Sequence, residues 1–263
     1  EFGVAVARSH GGEIVCLAVV EVPEGRPLVA GLDDTARLNT LVEDGVRVAR
    51  DAGLTARGLI KVSHRISSGI AETVREEECN FLVLGRRRRP SALQSLFTSA
   101  LDAMTREAPC DVAIVAGTLR HGIVRRVLVP VDDGPNARLA CELAPAIAQW
   151  CDADIRPMTV VPEFVTPEAA QKRRAAVEGI IAASGLDQKP LVLRRDDVVE
   201  AILESAGTGD VILLGASSAG TVAEALAAST PSRVIERGVV PVVAVRKYEP
   251  ARAGWLERFL NPR

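Results

Sequence analysis

The chain has 263 residues, 48% hydrophobic and 25% charged, with 32 basic and 34 acidic side chains and a formal net charge of −2. This length suits one large domain or two ordinary ones, and the apolar fraction excludes a disordered chain. Near-neutrality excludes an overall field that would draw the molecule to nucleic acid or to an anionic membrane.

In chain order, a helix is expected over Phe2 to Ser9 and a strand over Ile14 to Val20, followed by a Gly/Pro-rich stretch from Glu24 to Asp34. Phe81-Leu-Val-Leu-Gly85 reads as a buried strand. Gly85-Arg-Arg-Arg-Arg89-Pro follows it, a helix opens near Ser99, and Val112 to Val115 forms a final strand. Farther on, Val127 to Val131 is a short continuous apolar run of the kind buried on both faces of a parallel sheet. A helix from Pro135 to Trp150 carries Leu139, Leu143, Ile147 and Trp150 at helical spacing. Strand Ile155 to Val161, helix Pro167 to Ala183 and strand Pro190 to Leu193 come next, then a helix whose N-terminus suits Asp197. Strand Asp210 to Leu214, helix Ser229 to Arg237 and strand Pro241 to Arg246 complete the unit.

The second half repeats the first. Phe81–Gly85 aligns with Val211–Gly215, Ser99 with Ser229, and Val112–Val115 with Val242–Val245, all at an offset of 130. Ile14–Val20 aligns with Ile155–Val161 at an offset of 141, which places an insertion in the first copy, most naturally at Glu24 to Asp34. The alternating order predicts two open parallel sheets with helices on both faces and right-handed crossovers, in units at 1–118 and 124–247 with a tail at 248–263. The first unit has no counterpart of Val127 to Val131. The topology puts that strand in the sheet interior, so the natural protein is expected to extend upstream of residue 1.

Three features carry candidate chemistry. Val129-Pro130-Val131-Asp132 puts a carboxylate at the carboxyl end of a strand, where open α/β sheets bind ligands and where an acid suits a ribose hydroxyl or exocyclic amine. Asp132 and Asp133 also read as caps of the helix that begins at Pro135, and the bare pattern favours the cap. The second feature is the small-residue loop Gly215-Ala-Ser-Ser218-Ala-Gly220, followed by Ser229-Thr230 at a helix start. It offers close backbone approach, amides and hydroxyls to a phosphate, or serves as a plain connection with a capped helix. The third is the arginine run at 86–89, beside Gly85 and Ser99, which can clamp an anion, meet an acidic surface or point into solvent.

The cysteines at 16, 79, 110, 141 and 151 lack a Cys-x-x-Cys pair, and His10, His64 and His121 share no ligand spacing. Neither set reads as a metal site, and the cysteines read as small core hydrophobes of a reducing compartment. Neither copy shows a nucleophile–base pair, a paired-carboxylate motif, a Walker-type Gly-Lys-Ser/Thr or a Gly-x-Gly-x-x-Gly turn, so no enzyme is expected. No apolar run approaches the length of a membrane span. Trp255, Leu256, Phe259 and Leu260 recur at helical spacing in the tail, beside Arg258 and Arg263.

Val-Pro-Val-Asp132, Leu-Gly215, Ser229 and the final apolar strand, matched in both copies, resemble the universal stress protein domain. ATP-binding members of that family carry Gly-x-x-Gly, nine residues, then Gly-Ser/Thr. The resemblance implies that Pro130, Asp132 and Val161 meet adenosine, while Gly215, Ser218, Ser229 and Thr230 hold phosphates. Gly85, Arg88 and Ser99 are the corresponding anion contacts of the first copy. Ser218 and Ala228 stand where the motif has glycine in the second copy, as do Arg88 and Thr98 in the first. The wording around Arg125–Val131 and the ending Gly254–Leu260 are similar to cytoplasmic tandem stress-protein tails of bacterial amino-acid permeases and related transporters. What the resemblance implies is a cytoplasmic regulatory or sensor module that binds ATP or another adenine nucleotide, with its last strands paired between units or copies and a transmembrane transporter domain upstream. A structural tail without nucleotide and a slow ATP hydrolase are the alternatives.

Overall fold

The computed structural model describes residues 1–86, 108–216 and 230–249. The first unit contains helix α1 (Phe2–His10), strand β1 (Ile14–Glu21), a 3₁₀ turn (Leu28–Gly31) and helix α2 (Leu32–Asp51). Strand β2 (Ala56–Ser63), helix α3 (Ile66–Glu76), β3 (Phe81–Arg86) and β4 (Asp111–Ala116) complete it. The second unit contains β5 (Arg126–Pro130), α4 (Pro135–Cys151), β6 (Asp154–Val161), α5 (Pro167–Ala183) and β7 (Leu191–Arg194). It continues with α6 (Val198–Ser205), β8 (Asp210–Gly215), α7 (Thr230–Arg237) and β9 (Val242–Arg246). The elements expected in the second copy form within one or two residues of the boundaries read from its apolar runs.

Strand β5 lies between β6 and β8, with β7 outside β6 and β9 outside β8, all parallel. Alternate residues of each strand enter opposite cores. Val127, Val129, Val211 and Leu213 pack beneath α4 and α5, while Leu128, Ile212 and Leu214 pack beneath α6 and α7. Both faces are covered, which is why these strands are apolar at every position rather than at every second one. At the amino edge the carboxylate of Asp210, 4% exposed, accepts from Arg126 Nε at 3.0 Å and from the Gly207 N–H at 2.7 Å, aligning the starts of β5 and β8.

Strand β9 also pairs antiparallel with β4, in register Val112↔Arg246 to Ala116↔Val242. The last strands of the two units thus join edge to edge within one chain, as the family resemblance implies, and β3 and β4 extend the large sheet to seven strands. Two otherwise open edges are satisfied at once. Strands β1 and β2 form a separate parallel pair. Among the described residues no strand lies between β1 and β3, the place that β5 fills between β6 and β8. Cys110 and Cys141 are buried and desolvation raises both thiols to about 12, so they act as apolar filling. None of the described helices is long and apolar enough to cross a membrane.

Candidate functional site

The second sheet reverses its strand order at β5: one crossover leads outward to β6 and β7, the next returns to β8 and β9. A crevice therefore opens between the carboxyl ends of β5 and β8, the place where open α/β sheets bind ligands. Several of the residues expected from the sequence meet there.

Pro130 ends β5, half-buried, and Asp132 stands two residues beyond it in solvent. Asp132 Oδ1 accepts a hydrogen bond from the Gly134 N–H at 2.9 Å, closing a short Asx turn. The cap of α4 is Gly134 itself, in extended conformation and with no side-chain cap bond. The expectation that Asp132 or Asp133 caps this helix is therefore corrected. The chain turns into α4 through Pro135 with its preset φ, which leaves the Asp132 carboxylate at the mouth of the crevice.

Gly215 ends β8, paired with Val245. A methyl group here would lie 2.5 Å from Ala137 N and 2.5 Å from the Asn136 carbonyl carbon. The glycine thus permits a close backbone approach by the first turn of α4, a packing role that the sequence-based expectation for this position did not include.

Asn136, in that same turn, went unnoticed in the sequence. Its side chain is buried, its amide donates to Ala216 O at 2.6 Å, and its carbonyl accepts from the Lys247 N–H at 2.8 Å. One side chain thus fixes the first residue after β8 and the first residue after β9 against the N-terminus of α4. Ala216 N–H in turn donates to Val245 O at 2.7 Å. The sequence signal was faint: an asparagine one residue past a helix-starting proline.

Val161 ends β6 with its side chain 1% exposed and its carbonyl accepting from the Arg195 N–H at 3.0 Å. It belongs to the wall of the fold, and its side chain does not line the crevice. Thr230 is half-buried at the first position of α7. Ser218 and Ser229 lie outside the described residues, as do Arg88, Ser99 and the tail residues Trp255 to Arg263. Gly85 is the next-to-last residue of β3, and no described atom lies within 4 Å of a methyl group placed on it. Of the arginine run, Arg86 forms an ion pair at 3.5 Å with Glu236 of α7, so this member meets an acidic group of the other unit.

Among the described residues no group of three or more His, Cys, Asp or Glu could hold a metal ion. A hollow of about 740 Å³ beside α2 and β2, lined by Asn39, Glu43, Arg47 and Arg50 among others, is remote in sequence from the crevice residues and shares none of them.

Fold and crevice together define a duplicated, doubly wound α/β protein whose ligand edge lies at the strand-order reversal. The sequence profile of the Universal stress protein family matches residues 1–116 and again 124–246. The chain belongs to that family, as two tandem domains. A universal stress protein from Archaeoglobus fulgidus DSM 4304 is 20% identical with a TM-score of 0.67, covering 95% of this chain and 91% of its own. A functionally unknown protein from Pseudomonas aeruginosa PAO1 is 18% identical with a TM-score of 0.61, covering 98% and 89%. The cytoplasmic domain of a prokaryotic cation chloride cotransporter is 10% identical with a TM-score of 0.57, covering 92% and 88%. These structures share the fold. No curated protein matches the chain.

Proposed function

We propose that this tandem module is a non-catalytic sensor whose second domain binds an adenine nucleotide across the carboxyl ends of β5 and β8. One observation carries the reading: Asp132 sits at the strand-order reversal, exposed, and is not spent on capping the helix it precedes. Oδ1 takes the Gly134 N–H, and Oδ2 has no partner among the described residues, so it is available to a ribose hydroxyl or an exocyclic amine. Thr230, opening α7 with Ser229 before it, adds a hydroxyl and the positive end of a helix dipole for a phosphate. Among the described residues the first domain supplies the paired edge. The fold shared with a transporter's cytoplasmic domain supports a partner of that kind, and we place the module in the cytoplasm beside a membrane transporter.

Calorimetric titration of ATP, ADP, AMP and cyclic AMP into the full chain, with magnesium, tests the nucleotide reading. Micromolar binding by at least one is expected. Asp132→Ala should weaken it about tenfold or more, the worth of a hydrogen bond to a charged group, while shifting Tm little because no helix cap is lost. Absence of binding at millimolar nucleotide would leave a structural pairing module. Magnesium-dependent phosphate release at a rate above the uncatalysed background would reassign the domain to the hydrolases.

A further inference from the structure

Helices α1 and α4 are equivalent elements of the duplication. A shift of 141 residues lays Phe2–His10 on Leu143–Cys151, and both end in a left-handed cap, Gly11 at φ 62° and Asp152 at φ 54°. The two helices run antiparallel, as β4 and β9 do, so that α1 begins beside the last turn of α4, at the edge away from Asp132. A cavity of about 430 Å³ opens between them. Its walls are Ala5, Arg8 and Ser9 from α1 and, at the same offset of 141, Ala146, Gln149 and Trp150 from α4, closed by His121 of the connecting segment.

The wall is rich in donors. The Arg8 guanidinium lies over the Trp150 ring, 5.6 Å from its centroid, and the His121 ring meets the same indole nearly edge-on at 5.7 Å. Stacking holds a guanidinium flat and leaves its N–H edge unspent. The side chains of Arg8, Ser9 and Gln149 have no hydrogen-bond or ion-pair partner among the described residues. Trp150 Nε1 is buried without an acceptor, a condition native proteins seldom leave unresolved. The wall carries no carboxylate. Glu1, beside it, accepts from the His121 backbone N–H at 3.1 Å. At the end of each helix one carbonyl is engaged by the cap: Ala7 O accepts from the Gly11 and Gly12 N–H groups, and Ala148 O accepts from those of Asp152 and Ala153.

We propose that this cavity binds a small organic anion through a carboxylate or phosphate group. The edge of Arg8 grips the anion, and Ser9 and Gln149 complete the contact from the two equivalent helices. The site is separate from the nucleotide crevice and stands whether or not that crevice binds.

The test is a fluorescence titration of the full chain in a Trp255→Phe background, leaving Trp150 as reporter, with succinate and with inorganic phosphate, against sodium chloride at matched ionic strength. A saturable change with succinate or with phosphate is expected, and which of the two produces it identifies the group recognised. Arg8→Gln should weaken the response about tenfold or more, and Arg8→Lys, which keeps the charge but loses the fork, should fall between. Gln149→Leu, checked for an unchanged circular dichroism spectrum, should weaken it from the opposite wall. No saturable change with either anion, a change that sodium chloride reproduces, or affinity unaltered by Arg8→Gln in a folded chain would overturn the proposal.

Discussion

Gly85 and Gly215 hold equivalent positions in two strands of a duplicated fold, yet they stand in opposite surroundings. Behind Gly215 the first turn of α4 is packed so tightly that no Cβ fits, whereas behind Gly85 no described atom lies within 4 Å. The strands show the same contrast: Val211, Ile212 and Leu213 of β8 are 0% exposed, while Val83 in the middle of β3 is 38% exposed. In the second domain β5 and the start of α4 fill the space beside this strand, and no described residue fills it in the first. A motif's residues thus acquire their role from the neighbours that reach them. The same glycine is a packing requirement in one domain and meets no such neighbour among the described residues in the other.

The sharpest test substitutes both glycines. Gly215→Ala forces a methyl group against backbone atoms that cannot swing aside, and should cost about 3 kcal/mol or more, at the upper end of overpacking penalties. Gly85→Ala should change stability by no more than about 0.5 kcal/mol, like other substitutions in open space. Urea unfolding of the two variants reads the difference directly. Equal losses would mean that the space beside Gly85 is filled in solution.

Next in size is Asn136, in the first turn of α4. Asn136→Ala strands two backbone groups, the carbonyl of Ala216 and the N–H of Lys247, and should cost about 2 kcal/mol. If the crevice binds nucleotide, the same change should weaken binding, because the segment after Gly215 loses its tether. Thermal unfolding and calorimetry on one preparation separate the two effects. A variant that keeps both stability and affinity would show that water replaces the side chain at no cost.

These two residues also mark how far the sequence could be read. Strands such as Val211–Leu214 were legible because burial on both faces demands uninterrupted apolar runs, and the duplication was legible because whole elements recur at fixed offsets. Asp132 was found, but its local role was misjudged: Asp before Pro at a helix start fits a cap and an Asx turn alike, and only backbone geometry separates them. Gly215 was found, but its contact with the first turn of α4 was not. Asn136 was missed because its partners stand 80 and 111 positions away, and no local pattern encodes a bond of that span. The joining of β4 and β9 came from family resemblance, which did not include its antiparallel direction, since a parallel-sheet strand carries no mark of the partner its edge will meet.

The smallest effect concerns the helices that precede the strands carrying the two glycines. Helix α6 begins at Asp197, whose Oδ1 accepts from the Val199 and Glu200 N–H groups at 2.9 and 3.1 Å and whose Oδ2 meets Arg233 at 3.1 Å. Helix α3, its counterpart, begins at Arg65 with no side-chain cap. The Glu200 N–H above all, and then Arg233, hold the Asp197 carboxyl below its ordinary value of 3.8. A carboxyl lowered by folding stabilises the native state above its unfolded pKa, and that contribution disappears as pH falls through the lower, folded value. Asparagine keeps an acceptor for the helix without the charge. Asp197→Asn should therefore lower Tm slightly at about pH 6, and the gap to the parent should close by about pH 2. Arg65→Asn, which adds a cap where α3 has none, should raise Tm by a pH-independent amount. A gap for Asp197→Asn that stays constant down to the acid limit would mean that the carboxylate charge adds nothing beyond the cap, and that the two domains differ at these helices in geometry alone.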